Sequence, residues 1–353
     1  MKEVFISGAA AVGAFGFDWR GLGRAVMDRS IGFAPSSELA ATHGAVAASE
    51  VPAIPSEIDV DARSRKLMSH PARLAAVALR LALIDAAWPQ PAREDIAFYL
   101  GVGASGCSMD ELNRMLAESI EDRQFSQDRF GGAGLAACNP LFAFQLMNNF
   151  TLCHGAILNG PGGPNGAFYS RGTGTVAALA EAHWLIASGE CTRALAGGAD
   201  SAMHPVTWAQ LVREEYVALG LMPGEGAGLL ALSDQADGAC GTLLRTASHS
   251  ARAFARSPAA LLNGLLADAG SDDLIMIAPW GDAARTVFQD ALEGTRAAVV
   301  DASTSLGDAL AAAPALAWCA ALDLLRRGSW RRAFVLNAGI DGGVGLAVIG
   351  SMA

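Results

Sequence analysis

The chain has 353 residues, of which 52% are hydrophobic and 17% charged, and this excludes a disordered protein, since a disordered chain has too little apolar surface to bury. Its length predicts two domains or one large α/β unit. The formal net charge of -10 argues against a nucleic-acid-binding protein, which needs a basic surface to neutralise phosphates.

A mean hydropathy of +0.31 raises the question of a membrane span. The longest stretch without Asp, Glu, Lys or Arg covers residues 130–170, but asparagines and prolines interrupt it, so it lacks the roughly 18 consecutive apolar residues of a span. Glu3 beside Lys2, and glycines in the apolar part that follows, argue against a signal peptide. We expect a cytoplasmic protein without a membrane span, and its six cysteines, which show no CxxC or zinc spacing, to be reduced.

Short β-rich runs alternate with Ala- and Leu-rich helices, which predicts a parallel sheet with helical crossovers. In chain order the predicted elements are a strand at 4–6, a turn at 8–16, a helix at 19–27, a loop with short strands at 35–61, a helix at 73–87, a strand at 96–101, a helix at 108–119 and a strand at 167–169. The run from Gly101 to Gly106 fits GxGxxG but lies outside the first βα unit, so we interpret it as a small-residue turn that lets strand and helix pack closely.

An internal repeat is the most informative feature of the organisation. Each copy has an Ala-rich helix, a glycine that ends it and, four residues later, an arginine that begins a short apolar strand. The copies are the helix 175–187 with Gly189 and Arg193, and the helix 309–325 with Gly328 and Arg332. This repeat predicts a duplicated α/β protein with a pseudo-twofold axis.

A tight turn at residues 171–175 connects the strand at 167–169 to the first repeated helix. Such an elbow places one residue at a helix N-terminus, where the dipole and the free N–H groups favour an anion or a thiolate. This chain has Arg171 there, and neither Ser170 nor Thr173 has a His or Asp at a recognisable spacing to activate it. We therefore expect the Arg171 side chain to turn towards solvent or an acid.

Segments across nearly the whole chain resemble the β-ketoacyl synthases of the thiolase fold. The most specific match is the Gly-Glu-Gly-Ala-Gly turn within residues 222–228, and the others lie at 4–16, 139–149, 163–165, 197–200, 303–308 and 337–343. The resemblance implies a thiolase-like α/β fold in which duplicated βαβαβ halves form five layers, α-β-α-β-α. The halves would be residues 1–238 and a shortened second half, residues 239–353.

Active members of that family use a Cys nucleophile, two His residues and a Lys. By the resemblance, the Cys, first His, Lys and second His positions fall at Arg171, near Trp280, at Ser303 and at Asp308. The composition agrees, because no His follows His249 and no Lys follows Lys66. The resemblance thus implies a scaffold that can neither hold an acyl thioester nor stabilise the carbanion of decarboxylation, and we expect no cofactor and no metal site.

The first hypothesis is a non-catalytic subunit that resembles a chain length factor. It would pair with an active ketosynthase and share its acyl tunnel in polyketide, aryl-polyene or fatty-acid-type biosynthesis. The uncharged stretch 130–170 suits a large obligate interface, and its candidate tunnel or interface residues are Phe142, Phe144, Met147 and Phe150. Arg171, where chain length factors often carry Gln, favours a divergent, polyene-like branch. Because a net charge of -10 repels an acidic carrier protein, the acyl carrier protein would be an indirect partner.

Two alternatives stay open. One is an acyltransferase or thioesterase with a relocated nucleophile, for which Cys107, Cys153 and Cys191 are candidates. Cys107 follows a glycine turn at a helix start, where the thiol pKa could fall, but the sequence shows no second group to complete a dyad. The other alternative is a purely structural homodimer.

Overall fold

A computed structural model of the chain describes residues 1–36, 38–40, 44–89, 93–104 and 106–352. The strands are β1 (Phe5–Val12), β2 (Ala34–Pro35), β3 (Ala47–Ala48), β4 (Ala97–Val102), β5 (Ile120–Glu121), β6 (Gln124–Phe125), β7 (Asn165–Tyr169), β8 (Arg193–Ser201), β9 (Glu225–Ser233), β10 (Gly241–His249), β11 (Asp273–Pro279), β12 (Ala298–Asp301), β13 (Arg332–Ala338) and β14 (Val344–Gly350).

The helices are α1 (Leu22–Met27), α2 (Ala62–Arg65), α3 (His70–Asp85), α4 (Met109–Glu118), α5 (Gln127–Arg129), α6 (Ala143–Leu146), α7 (Phe150–Asn159), α8 (Thr173–Ser188), α9 (Pro205–Arg213), α10 (Ala251–Arg256), α11 (Pro258–Leu265), α12 (Gly281–Leu292), α13 (Ser303–Leu306) and α14 (Ala313–Arg326). Shorter helical segments are a π-helix at Phe130–Gly134 and 3₁₀ helices at Pro140–Phe142 and Leu310–Ala312. Within these described ranges, no helix is both long and apolar enough to cross a membrane.

Among the described residues, ten strands form one sheet in the order β12-β11-β13-β14-β10-β1-β9-β8-β4-β7. The sheet consists of two groups of five strands: the first half supplies β1, β4, β7, β8 and β9, and the second half supplies β10 to β14. When the strands of each group are numbered one to five along the chain, both groups have the order three, two, four, five, one from the outer edge of the sheet to its centre. The groups meet where Phe5 and Ile6 of β1 pair with Thr242 and Gly241 of β10. This repeated order confirms the predicted duplication. The division at 238/239 stays a prediction, which is supported by the position of the connection between β9 and β10.

The sheet is mixed rather than parallel as predicted. In the first half β4 runs parallel to β7 and β8, but β9 runs antiparallel to β8 and β1. The second half repeats this arrangement, because β14 runs antiparallel to β13 and β10. The fourth and fifth strands of each half are therefore antiparallel neighbours, which need no crossover connection, unlike parallel neighbours.

The two repeated helices, α8 and α14, lie between the halves and contact strands of both. Alternation along each strand sorts its residues between layers: Ala194 and Ala196 of β8 face the central helices, whereas Leu195 faces the outer side. Helices α3 and α7 cover the outer face of the first half, and α11 and α12 cover that of the second. The result is the five-layered thiolase-like arrangement.

Glycines make close approaches between the layers. A Cβ at Gly101 would overlap Thr175 of α8, and a Cβ at Gly103 would overlap the carboxylate of Asp200. These contacts support the interpretation of the GxGxxG run as a close-packing turn.

Two glycine-containing segments predicted as turns are instead strands. β1 continues through Gly8 to Val12 because it pairs with β9 along this length. Likewise Glu225 begins β9, which pairs with β8 and β1 on its two sides. A Cβ at Gly228 would lie 2.7 Å from the carbonyl carbon of Ala315, so the small residues of this strand let the central helix α14 approach it.

Candidate functional site

The elbow before α8 has a glycine at its apex. Gly172 is the N-cap of α8, with φ 143° and ψ -77°, a conformation that favours glycine because a side chain would be strained. A Cβ there would also lie 2.5 Å from Cα of Gly339. The apex therefore has no side chain, and Arg171, which the sequence analysis placed at the tip, precedes it by one residue.

The Arg171 side chain is half-buried and turns towards α9. Its Nη2 donates to Oε1 of Gln210 at 2.7 Å. The expectation of solvent or an acid as its direct partner was wrong, since the partner is a neutral amide. The positive charge of Arg171 does act on the buried Asp200, where it opposes the rise of the carboxyl pKa.

The four positions that the resemblance assigned to the family's catalytic groups converge in space. Arg171, Trp280, Ser303 and Asp308 all line one cavity of about 20 Å³, a volume that holds little more than one water molecule. Leu310, with φ 51°, lines the same cavity. In this conformation the cavity has no room for an acyl group.

Aromatic packing holds Trp280 at the cavity. The indole contacts the ring of Tyr216 edge-on, with 5.1 Å between ring centroids. The Tyr216 hydroxyl donates to the backbone carbonyl of Ile340 at 3.1 Å, and Ile340 lines the cavity from the other side. Trp280 is therefore part of a packed wall, and it offers no group that could replace an imidazole as hydrogen-bond acceptor.

Two buried carboxyl groups hold backbone around the cavity. Oδ2 of Asp308 accepts from the backbone N–H of Met222 at 2.7 Å, and Asp200 accepts from the backbone N–H groups of Ser201 and Ala311 at 2.9 and 3.2 Å. Burial raises the pKa of Asp308 to about 7 and that of Asp200 also to about 7. Each carboxyl is therefore partly protonated near neutral pH.

Replacing Asp308 by Asn should change how stability depends on pH. A carboxyl whose pKa rises from 3.8 to about 7 on folding stabilises the fold fully below pH 3.8 and loses this contribution as the pH rises through 7. Between about pH 6 and about pH 8, the free energy of unfolding of the wild type should fall by about 1.4 kcal/mol relative to that of D308N. Urea unfolding of both proteins across this range measures the difference. Parallel curves would contradict the buried carboxyl, and D200N provides a second, independent case.

An ion pair accompanies Ser303, where the resemblance places the family's lysine. The Ser303 hydroxyl donates to Oδ1 of Asp301 at 2.6 Å. Arg285 of α12 donates to Oδ2 of Asp301 at 2.9 Å and to the Ser303 hydroxyl oxygen at 3.2 Å. Sequence reasoning missed Arg285, because no motif connects it with the segment 303–308.

A carboxylate also reaches the elbow hydroxyls. Oδ2 of Asp341 accepts from the Thr173 hydroxyl at 2.5 Å and from the Ser170 hydroxyl. The Ser170 oxygen in turn accepts from the backbone N–H of Gly174 at 2.8 Å. The sequence showed no acid near Ser170 or Thr173 along the chain, but the fold brings Asp341 to both hydroxyls from a position about 170 residues later. Through these hydrogen bonds, Asp341 connects the loop 339–343 to the elbow.

Comparison with known proteins settles the family. A family model described as "Beta-ketoacyl synthase, N-terminal domain" matches residues 37–238, more than half of the chain. The chain belongs to the β-ketoacyl synthase family. The match includes the elbow, the glycine-rich segment before α4 and all of β9, but it ends before Trp280, Ser303 and Asp308.

Solved ketosynthases share the fold over the whole chain. A β-ketoacyl synthase from Burkholderia phymatum STM815 has a TM-score of 0.78 at 15% identity, with 100% of both chains covered. AntDE:AntF, a type II polyketide synthase acyl-carrier protein in complex with its ketosynthase bound to the hexaketide, has 0.78 at 13%, with 99% of both covered. The ishigamide ketosynthase/chain length factor has 0.76 at 17%, with 100% of both covered. At these identities the similarity establishes the thiolase-like ketosynthase fold.

For the alternative of a relocated cysteine nucleophile, the structure places a histidine near Cys107 but does not lower the pKa of the thiol. Cys107 and His204 line a second cavity, of about 220 Å³, and Nε2 of His204 lies 2.9 Å from the backbone oxygen of Cys107. Burial raises the pKa of Cys107, and also the pKa values of Cys153 and Cys191, so the lowered pKa considered for Cys107 was wrong. Among the described residues, no group of three or more His, Cys, Asp or Glu side chains is placed to hold a metal ion.

The tunnel and interface candidates differ in burial. Phe142 is buried, and the half-buried Phe144 contacts Phe150 with 4.8 Å between ring centroids. Met147 is 44% exposed. Their role in a tunnel or interface stays a prediction.

Proposed function

We propose that this chain is a non-catalytic member of the β-ketoacyl synthase family that pairs with an active ketosynthase and helps to shape its acyl tunnel, as a chain length factor does. The observation that carries the proposal is the cavity of about 20 Å³ lined by Arg171, Trp280, Ser303 and Asp308. An acyl-transfer step needs a nucleophile and a base, and condensation needs donors at the developing oxyanion. None of these four side chains is the Cys, His or Lys of the active enzymes.

The geometry at Asp308 and Ser303 supports this proposal. The Asp308 carboxylate is engaged by the backbone of Met222, and the Ser303 hydroxyl by Asp301 and Arg285. Both side chains therefore serve contacts within the chain rather than facing an open substrate site. The elbow supports it too, because Gly172 at the apex carries no side chain and packs against Gly339.

In this proposal, the uncharged segment 130–170 forms the surface that contacts the partner ketosynthase. It ends with β7, which forms one edge of the sheet and pairs only with β4 among the described strands. An uncovered edge strand offers free backbone groups to a partner. The segment also exposes large apolar side chains, which favour an obligate interface: Leu135, Leu141, Leu146, Met147, Ile157 and Tyr169.

The proposed setting is the cytoplasm, in a divergent polyene-like branch of type II polyketide biosynthesis, with the acyl carrier protein as an indirect partner. The ishigamide ketosynthase/chain length factor and the type II polyketide carrier protein–ketosynthase complex among the structural relatives support the type II polyketide part of this setting and the carrier protein as a partner. The cysteine alternative has no comparable support, because burial raises the pKa of each candidate thiol.

Affinity purification of the tagged chain from its native host, followed by mass spectrometry, tests the pairing. We expect a ketosynthase with a complete Cys, His, His and Lys set at one-to-one stoichiometry. Recovery of the chain alone as a stable homodimer would contradict the proposal and favour the structural alternative. In the reconstituted complex, Phe144→Ala should change the length of the product, whereas Arg171→Ala should leave condensation by the partner intact.

A further inference from the structure

Four arginines lie close together near the end of α14 in a chain whose net charge is -10. They flank the sequence Gly-Ser-Trp and are Arg326, Arg327, Arg331 and Arg332. Two of them are neutralised within the fold, since Arg327 pairs with Asp323 at 3.1 Å and Arg332 pairs with Asp273 at 2.7 Å. The other two, Arg326 and Arg331, have no such ion pair among the described residues.

Arg326 and Arg331 form no ion pair with any carboxylate of the described residues, and both line one cleft of about 620 Å³. This volume is typical of sites for small ligands. Trp330, which is half-buried and packs partly against the central core, also lines the cleft. The polar groups around them belong to Ser271, Asp272, Ser329 and Ser351. We call this the arginine cleft.

The first half of the duplicated fold forms a corresponding cleft, of about 780 Å³. Both clefts are lined by the residue just before the fourth strand of their half, Thr192 or Arg331, and by residues just after the fifth strand. The first-half cleft, however, carries the carboxylates of Asp85, Asp234 and Asp237. Because the same strand arrangement builds both, the positive charge of the arginine cleft comes from its side chains and is no consequence of the fold.

Arg193 in the first-half cleft has both a carboxylate and an aromatic partner. Its Nη2 pairs with Asp95 at 2.8 Å, and its guanidinium lies 5.5 Å from the centre of the Trp88 ring. In the arginine cleft, the guanidinium of Arg326 lies 5.3 Å from the Trp19 ring centre and forms no ion pair with a carboxylate of the described residues. The Arg331 backbone N–H donates to the carbonyl of Asp272, which positions the residue. Its guanidinium forms no direct ion pair with a carboxylate of the described residues, although its charge helps to lower the pKa of Asp273, which already pairs with Arg332.

We propose that the arginine cleft binds a small ligand that carries phosphate groups and a planar ring, the chemical class of a nucleoside diphosphate. This site is separate from the cavity at Arg171 and goes beyond the proposed pairing function. Guanidinium groups bind phosphate oxygens through paired, charge-assisted hydrogen bonds, and the indole of Trp330 offers a flat face for a ring. Among the described residues that line the cleft, Asp272 alone carries a carboxylate, and its Oδ1 accepts from the Ser271 hydroxyl at 3.3 Å.

Isothermal titration calorimetry with ADP, pyrophosphate and adenosine tests the site on the full chain. We expect one-to-one binding of ADP, weaker binding of pyrophosphate and the weakest binding of adenosine. Arg331→Ala should weaken ADP binding about tenfold, and adding Arg326→Ala should weaken it further. Trp330→Leu should weaken ADP binding but leave pyrophosphate binding unchanged.

Arg193→Ala in the first-half cleft is the matched control and should leave ADP binding unchanged. Absence of saturable ADP binding would overturn the proposal, and so would an equal loss with Arg193→Ala. Near-ultraviolet circular dichroism checks that each variant is folded. If Arg331→Ala does not fold, Arg331→Lys replaces it, since it keeps the charge but loses the paired hydrogen bonds and should still weaken binding.

Discussion

Replacing Trp318 by alanine should lower the free energy of unfolding by about 3–5 kcal/mol. Trp318 lies on α14, the central helix that contacts strands of both halves, and its side chain is fully buried. Its removal leaves a cavity between the two halves, where rigid strands on either side limit collapse. Urea unfolding followed by far-ultraviolet circular dichroism measures the effect, because this signal does not depend on the lost indole.

Trp184→Ala is the matched control for this experiment. Trp184 lies on α8, the other central helix, but 49% of it is exposed, so its truncation removes only about half as much buried surface as that of Trp318. We expect a loss of no more than about half that of Trp318→Ala. Equal losses for the two variants would contradict the burial of α14 between the halves.

Charged residues on the uncharged segment should strongly weaken pairing with the proposed ketosynthase partner. Ile157 is 77% exposed on α7, and Tyr169 is 60% exposed at the end of the edge strand β7. If this surface is the interface, Ile157→Lys combined with Tyr169→Lys would bury two unpaired charges there. We expect the dissociation constant to rise about 100-fold or more, measured by analytical ultracentrifugation of the purified pair.

Val299→Lys provides the control for the pairing experiment. Val299 lies on β12, the opposite edge of the same sheet, and is 43% exposed. It should leave pairing unchanged. If the control disrupts pairing as strongly as the double variant, or if the double variant still pairs normally, then the segment 130–170 is not the interface.

Much of the fold could be predicted from local pattern. The two Ala-rich helices and the arginines that open the following strands indicated the duplication, because each feature is read within a short window of sequence. The segments around Gly8 and Glu225 were mistaken for turns, since glycine usually interrupts local structure. Their strand conformation comes from pairing with strands distant in sequence. A Cβ would overlap Ala86, just after α3, at Gly8 and Ala315 of α14 at Gly228, so glycine is needed at both positions.

The sequence by itself determined that no His follows His249 and no Lys follows Lys66, so the positions near Trp280, at Ser303 and at Asp308, which the resemblance assigns to the family's His and Lys groups, hold other side chains. Only the tertiary structure decided what surrounds those positions. It brought Gln210 to Arg171, Arg285 to Ser303 and Asp341 to the elbow hydroxyls. These partners come from separate elements, and local periodicity carries no information about which distant side chains meet. The same holds for the arginine cleft, where only the folded chain shows which guanidinium groups have a carboxylate partner.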